Sequence, residues 1–212
     1  MMSLLSLCQK LCPNHIPVQI GERLGCGVDG EVFAIKDDPL RAIKLGRLYE
    51  QPQQSVQQQF QHLEKVLQLL QHEHSPAYVY LHEYGYLCTS SQQRFAPPRR
   101  RYTQQFVLYY YIMDRLIPIT EDEGKVLHSI LSHEDRGIKK DFSAGKVREM
   151  LIGMSTGLDF DIEKITLFCH NIKEAPFLHL DIAIRNIMKN GAGEFKLIDI
   201  DRMSLEKVNA NT

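Results

Sequence analysis

The stretch Leu24-Gly25-Cys26-Gly27-Val28-Asp29-Gly30-Glu31-Val32-Phe33-Ala34-Ile35 sets three glycines in the spacing G-x-G-x-x-G and runs straight on into a β-branched, aromatic segment. That continuation is the strongest constraint in the chain. A dinucleotide-binding fingerprint needs a helix after its glycines, whereas Glu31 to Ile35 reads as a strand. Ile20 to Leu24 before the glycines reads as another strand. Lys36-Asp37-Asp38-Pro39 is turn chemistry, and Arg41 to Leu45, carrying Ala42-Ile43-Lys44, is a third. Strand, glycine loop, strand, turn, strand with a lysine is an antiparallel meander, not the start of a parallel βαβ unit.

The chain has 212 residues, 43% of them hydrophobic, enough for one good core or two small lobes. Its 25 basic and 26 acidic residues leave a formal charge of -1, so no net field points to nucleic acid or an anionic membrane, and neither partner is expected. No apolar run nears the roughly 20 residues that span a bilayer, and Gln9 and Lys10 break the apolar start before a secretory core could form. Cys8, Cys12, Cys26, Cys88 and Cys169 are odd in number and scattered, which suits free thiols better than a disulfide framework. Cys8 and Cys12 stand four apart with no second ligand pair nearby, so a zinc site is not expected.

Farther on, Val56, Phe60, Leu63, Leu67 and Leu70 recur at helical spacing through a Gln-rich segment, predicting an amphipathic helix over Ser55 to His72 with Ser55 as N-cap. Strands are expected near Tyr78 to Tyr84 and Gln105 to Met113, separated by a Pro- and Arg-rich loop. A short helix near Glu123 to Leu131, a longer one from about Lys146 to His170, and two short strands, Asn186 to Met188 and Phe195 to Ile198, come after them. The last two flank the turn Asn190-Gly191-Ala192-Gly193. The expected fold class is α+β.

The order of these motifs resembles a protein kinase. Gly25, Gly27, Gly30 and Val32 match the glycine-rich loop, Ala42 and Lys44 the A-x-K strand, and Glu64 the helix carboxylate that holds the lysine. Met113 stands at the gatekeeper place, with Asp114 and Leu116 where adenine would meet a hinge backbone. His179-Leu180-Asp181-Ile182 followed by Asn186 matches the catalytic loop, and Asp199, thirteen residues beyond Asn186, stands where such enzymes carry D-F-G.

The resemblance implies a bilobal fold with a five-stranded N-lobe (about 17–113) bearing a single αC helix, a hinge (114–117) and a truncated helical C-lobe (118–212), all in one minimal domain. It also implies ATP and Mg2+ as cofactors. Asp181 would accept the substrate hydroxyl proton, Lys44 would hold the α- and β-phosphates, Glu64 would hold Lys44, and Asn186 and Asp199 would hold magnesium. Met188 and Ile198 would join the nucleotide contacts.

Three departures narrow the resemblance. Leu180 replaces the arginine of H-R-D; Ile200 and Asp201 replace the Phe and Gly of D-F-G; only 11 residues come after Asp201, so no activation loop is expected. That arginine normally binds a phosphorylated activation loop, so its loss implies activity without phosphorylation.

The truncation, the H-L-D and the I-D-I-D together are similar to minimal effector kinases of the HopBF family. Type III secretion delivers these into the host cytoplasm, where the family target is the ninety-kilodalton heat-shock chaperone. The likeness implies a monomeric serine/threonine kinase acting on a host protein. Asp181 to Asn186 also echoes the D-L-A-A-R-N of tyrosine kinases. Two further readings stay open: a pseudokinase that binds a partner, such as a ubiquitin-charged conjugating enzyme, and a small-molecule kinase.

Overall fold

The computed structural model describes residues 3–27, 30–52, 54–96, 100–132, 144–154, 159–175, 178–179, 183–200 and 203–204. It is an α+β protein whose chain divides into two compact units, Met1–Gln71 with Leu81–Arg115, and His72–Tyr80 with Leu116–Thr212. No described helix is long and apolar enough to cross a membrane.

The first unit is an antiparallel sheet with a helix before it and a helix inserted in it. β1 (Ile20–Cys26), β2 (Gly30–Ile35), β3 (Asp38–Tyr49), β4 (Leu81–Ala96) and β5 (Arg100–Asp114) stand in the order β1-β2-β3-β5-β4. β2 and β3 turn through Lys36 and Asp37, and Asp37 takes a left-handed φ of 66°, which Asp tolerates better than bulkier residues.

Helix α1 (Leu4–Leu11) was not evident from the sequence. Ser3 caps it by accepting from the Ser6 N–H at 3.1 Å, and the Leu5 N–H donates to Glu31 Oε2 on β2 at 3.2 Å. Leu4, Cys8 and Cys12 pack with Phe33, Ile35, Ile43, Leu45 and Leu108 in one cluster. A buried leucine contributes about 1.5–3 kcal/mol, enough to seat an eight-residue helix too short to persist alone.

Helix α2 (Val56–Glu73) keeps to its expected course. Ser55 Oγ accepts from the Gln58 N–H at 3.3 Å, and Gln58 Oε1 accepts from the Ser55 N–H at 3.0 Å, a reciprocal capping box. Val56, Leu63, Val66, Leu67 and Leu70 are buried, so the stripe rather than the glutamines governs this segment.

The second unit holds α3 (Glu121–Ser132), α4 (Ala144–Met154), α5 (Ile162–Glu174) and two small sheets. β6 (Ile117–Pro118), β8 (Ile187–Lys189) and β9 (Phe195–Leu197) form one, in the order β6-β8-β9; β7 (Leu178–His179) and β10 (Met203–Ser204) form the other.

Three sequence expectations need correction. The single helix expected over Lys146 to His170 is two, because Asp161 starts a new one by accepting from the Lys164 N–H at 3.1 Å. The Pro- and Arg-rich loop is largely hairpin: β4 and β5 stay paired out to Ala96↔Arg100. Tyr78 to Tyr80 is not part of β4. Instead, Tyr78 bridges Leu197, and the Val79 N–H donates to Leu197 O at 3.0 Å.

Candidate functional site

In the first unit, strand register gathers the candidate residues. Val32 pairs with Lys44, and Lys44 with Tyr111, so the three side chains share one face of the sheet. Lys44 is only 7% exposed, and its Nζ lies 5.5 Å from the centroid of the Tyr111 ring, a cation–π placement. A cation this deep in a sheet is a fixed positive charge that loses little freedom on meeting an anion. Ala42, 1% exposed, pairs with Met113, 6% exposed, which leaves a small residue opposite a long one.

The glycines divide by role. A Cβ at Gly30 would lie 2.5 Å from Leu45 O and 3.0 Å from Lys44 Cε, so Gly30 makes room for the lysine stem. Among the described residues, a Cβ at Gly25 or Gly27 would meet nothing within 4 Å. The Gly27 N–H donates to Gly30 O at 2.8 Å and closes the β1–β2 loop.

At the end of β5 the Arg115 N–H donates to Leu40 O at 2.7 Å. Antiparallel alternation therefore turns the backbone polar groups of Asp114 away from β3. The Asp114 carboxylate meets His82 Nε2 at 2.8 Å, and Leu116, half-buried, opens the second unit. Glu64 lies half-buried on α2, one residue after buried Leu63, at the border of the apolar stripe.

In the second unit, the β8–β9 hairpin organises the other candidates. Ile187 pairs with Leu197 and Met188 with Lys196, and the Ile198 N–H donates to Asn186 O at 2.8 Å. Asn186 and Asp199 thus sit at adjoining ends of two paired strands. Asn186 is 5% exposed, and its N–H donates to Ala183 O at 2.8 Å to close a 3-10 turn over Ile184–Asn186. Asp199 has φ 61°. A non-glycine residue held left-handed is uncommon, and such backbones concentrate at functional sites. Met188 and Ile198 are half-buried beside them.

Asp181 lies outside the described residues, as do Leu180 and Ile182. Its neighbour His179 is paired with Met203 in the β7–β10 sheet.

Sequence reasoning did not single out Tyr111, because only the β3–β5 register sets its ring against Lys44. Nor did it find Glu123, 7% exposed on α3, whose Oε1 accepts from Lys189 Nζ at 2.9 Å. Its Oε2 accepts from the Thr120 N–H at 2.7 Å while Thr120 Oγ1 accepts from the Glu123 N–H at 3.2 Å. Burial raises the Glu123 pKa, but the bonds from Lys189 and Thr120 outweigh it and hold the carboxyl below its ordinary 4.5. The T-x-x-E capping signal at Thr120 could have located this residue.

No protein-family model matches the chain, and no curated protein matches its sequence.

Proposed function

We propose that the chain is an ATP-dependent protein kinase of the serine/threonine type. The observation that carries this reading is the Asn186–Ile198 backbone bond, which holds Asn186 beside a left-handed Asp199 at the ends of paired strands. An amide oxygen and a carboxylate are hard donors, the kind magnesium takes. The buried Lys44 and the uncrowded Gly25 and Gly27 support the same reading from the first unit.

Bound ATP with magnesium supplies the phosphoryl group. The protein's part is positioning and charge. Lys44 would hold the α- and β-phosphates with a charge fixed by its strand, and Glu64 would hold the lysine. The Gly25–Gly27–Gly30 loop would let backbone approach the phosphates without side-chain clash. Asn186 and Asp199 would hold the metal. Asp181 would accept the proton of the attacking hydroxyl.

By resemblance to the HopBF kinases, the substrate would be a host protein, the ninety-kilodalton heat-shock chaperone, reached in the host cytoplasm after type III secretion. A pseudokinase is the second reading, favoured by the replacements at Leu180, Ile200 and Asp201 within the two catalytic motifs.

Purified protein incubated with labelled ATP, magnesium and a eukaryotic lysate separates the two. A single labelled band, lost in Lys44→Ala and Asp199→Ala while their circular dichroism is unchanged, is the expected result. Loss of a metal ligand should cost several orders of magnitude. Retention of more than about a tenth of the wild-type rate in Asp199→Ala would overturn the assignment.

A further inference from the structure

Three of the five cysteines meet where α1 lies against the face of the five-stranded sheet that carries Phe33, Ile35, Ile43 and Leu45. Cys8 is fully buried and Cys12, the C-cap of α1, is 1% exposed; Cys88 on β4 is half-buried. The Cys12 and Cys88 sulfurs are 3.5 Å apart, joined by a thiol hydrogen bond, across 76 residues of sequence. Cys88 comes after an irregularity in β4, where the pairing shifts between Tyr86↔Tyr109 and Cys88↔Leu108.

A metal would be one use of such a cluster. Among the described residues, however, no group of three or more His, Cys, Asp or Glu is arranged to hold one. An apolar filler would be another, but Cys88 is half-buried where Cys8 and Cys12 are sealed, which makes it the most exposed of the three. A disulfide of about 2.05 Å needs the two sulfurs to approach by only ~1.5 Å.

We propose that Cys12 and Cys88 form an oxidation site, closed into a disulfide by a low-molecular-weight disulfide of the glutathione class, and that the bond fastens α1 to β4. The Cys88 thiolate attacks the small disulfide, whose S–S bond breaks; a mixed disulfide forms and one small thiolate leaves. Cys12 then gives its proton to solvent and attacks the Cys88 sulfur. The Cys12–Cys88 bond forms as the second small thiolate departs. The protein has lost two electrons and two protons, and the oxidant has become two thiols.

Burial, with further contributions from neighbouring cysteines, pushes the Cys12 thiol up to about 12, so the second step is slow near neutral pH and quickens as pH rises. Burial likewise pushes the Cys8 thiol up to about 12, so acidity does not separate it from Cys12; the 3.5 Å contact with Cys88 is what selects Cys12. Because both steps are reversible exchanges with small thiols, the site remains reduced wherever the small-thiol pool is reducing.

The test treats the full chain with oxidised glutathione at about pH 8.5, blocks remaining thiols by alkylation, and maps peptides by mass spectrometry. The expected product lacks two thiols and yields a Cys12–Cys88 linked peptide. Closing so long a loop should raise Tm by roughly 5 °C or more, reversed by dithiothreitol. The rise should vanish in Cys12→Ser and Cys88→Ser and persist in Cys26→Ser and Cys169→Ser. A stable glutathione adduct on Cys88 with no internal bond, a linkage through Cys26, or no loss of thiols would each overturn the proposal. Because the peptide map is made on the wild-type protein, it holds even if a variant folds poorly.

Discussion

Three glycines near Lys44 do different jobs, and substitutions should separate them. Alanine at Gly30 would press on Leu45 O at 2.5 Å, which is backbone and cannot yield, so Gly30→Ala should cost about 1–3 kcal/mol and shift the lysine stem. Gly25→Ala and Gly27→Ala should leave the thermal midpoint close to wild type, since no described residue lies within 4 Å of either Cβ. On the kinase reading they should nevertheless weaken nucleotide binding, raising KM for ATP about tenfold, or ~1.4 kcal/mol. Thermal melts and an ATP titration check all three; an unchanged KM in both variants would return these glycines to ordinary loop chemistry. The motif was legible because its spacing runs straight on into a strand-like segment, Glu31 to Ile35. Gly46 was not: its role comes from the pairing Gly46↔Tyr109, which would put a Cβ 2.1 Å from a fully buried ring. Asp199 was legible as a carboxylate after a short strand, whereas its left-handed backbone was not, because nothing in the residue type demands it.

Among the elements, those that rest on a periodic apolar stripe were readable, and those that rest on a partner elsewhere in the chain were not. Helix α2 carries its stripe and cap through 18 residues, whereas α1, capped by Ser3 but only 8 residues long, and the outer half of the β4–β5 hairpin depend on what they pack or pair with. The same logic makes α3 testable. Glu123→Gln keeps an acceptor for the Thr120 N–H, so the capping box survives, but Lys189, with 15% of its side chain exposed, loses its counter-charge. The expected loss is about 2–3 kcal/mol, read by chemical denaturation, against ~1 kcal/mol for Thr120→Ala, which removes only the cap. Because the folded pKa of Glu123 is depressed, its contribution is fully present above the ordinary value of 4.5 and is lost as pH falls through the lower folded value. The gap between wild type and Glu123→Gln should therefore hold steady at neutral pH and close in that acid window. A gap independent of pH would show that packing, not charge, made the difference.

Across the whole molecule, charge is distributed less evenly than the net value of -1 suggests. Residues 84–113 contain four arginines and no Asp or Glu. Arg94 belongs to β4, Arg100 and Arg101 open β5, and Arg99 precedes them in sequence. β3 accompanies β5 only as far as Tyr49↔Phe106, with one more bond from the Glu50 N–H to Gln105 O at 2.9 Å, so beyond that point β4 and β5 pair only with each other among the described residues. A basic ribbon of this kind suits an acidic surface on a protein substrate better than a duplex, since the rest of the chain is net acidic and would repel a long polyanion. On the kinase reading, if the ribbon docks substrate, replacing Arg99, Arg100 and Arg101 by Ala should weaken binding to the protein target by about tenfold, ~1.4 kcal/mol. The effect should be largest at low salt, where the Debye length is long, and shrink toward 1 M salt. ATP hydrolysis without substrate should not change, because none of the three belongs to the proposed nucleotide or metal ligands. Surface plasmon resonance against the target over a salt series reads the first effect, and a coupled hydrolysis assay the second. Equal affinities for both proteins at every salt concentration would leave the arginines without a docking role.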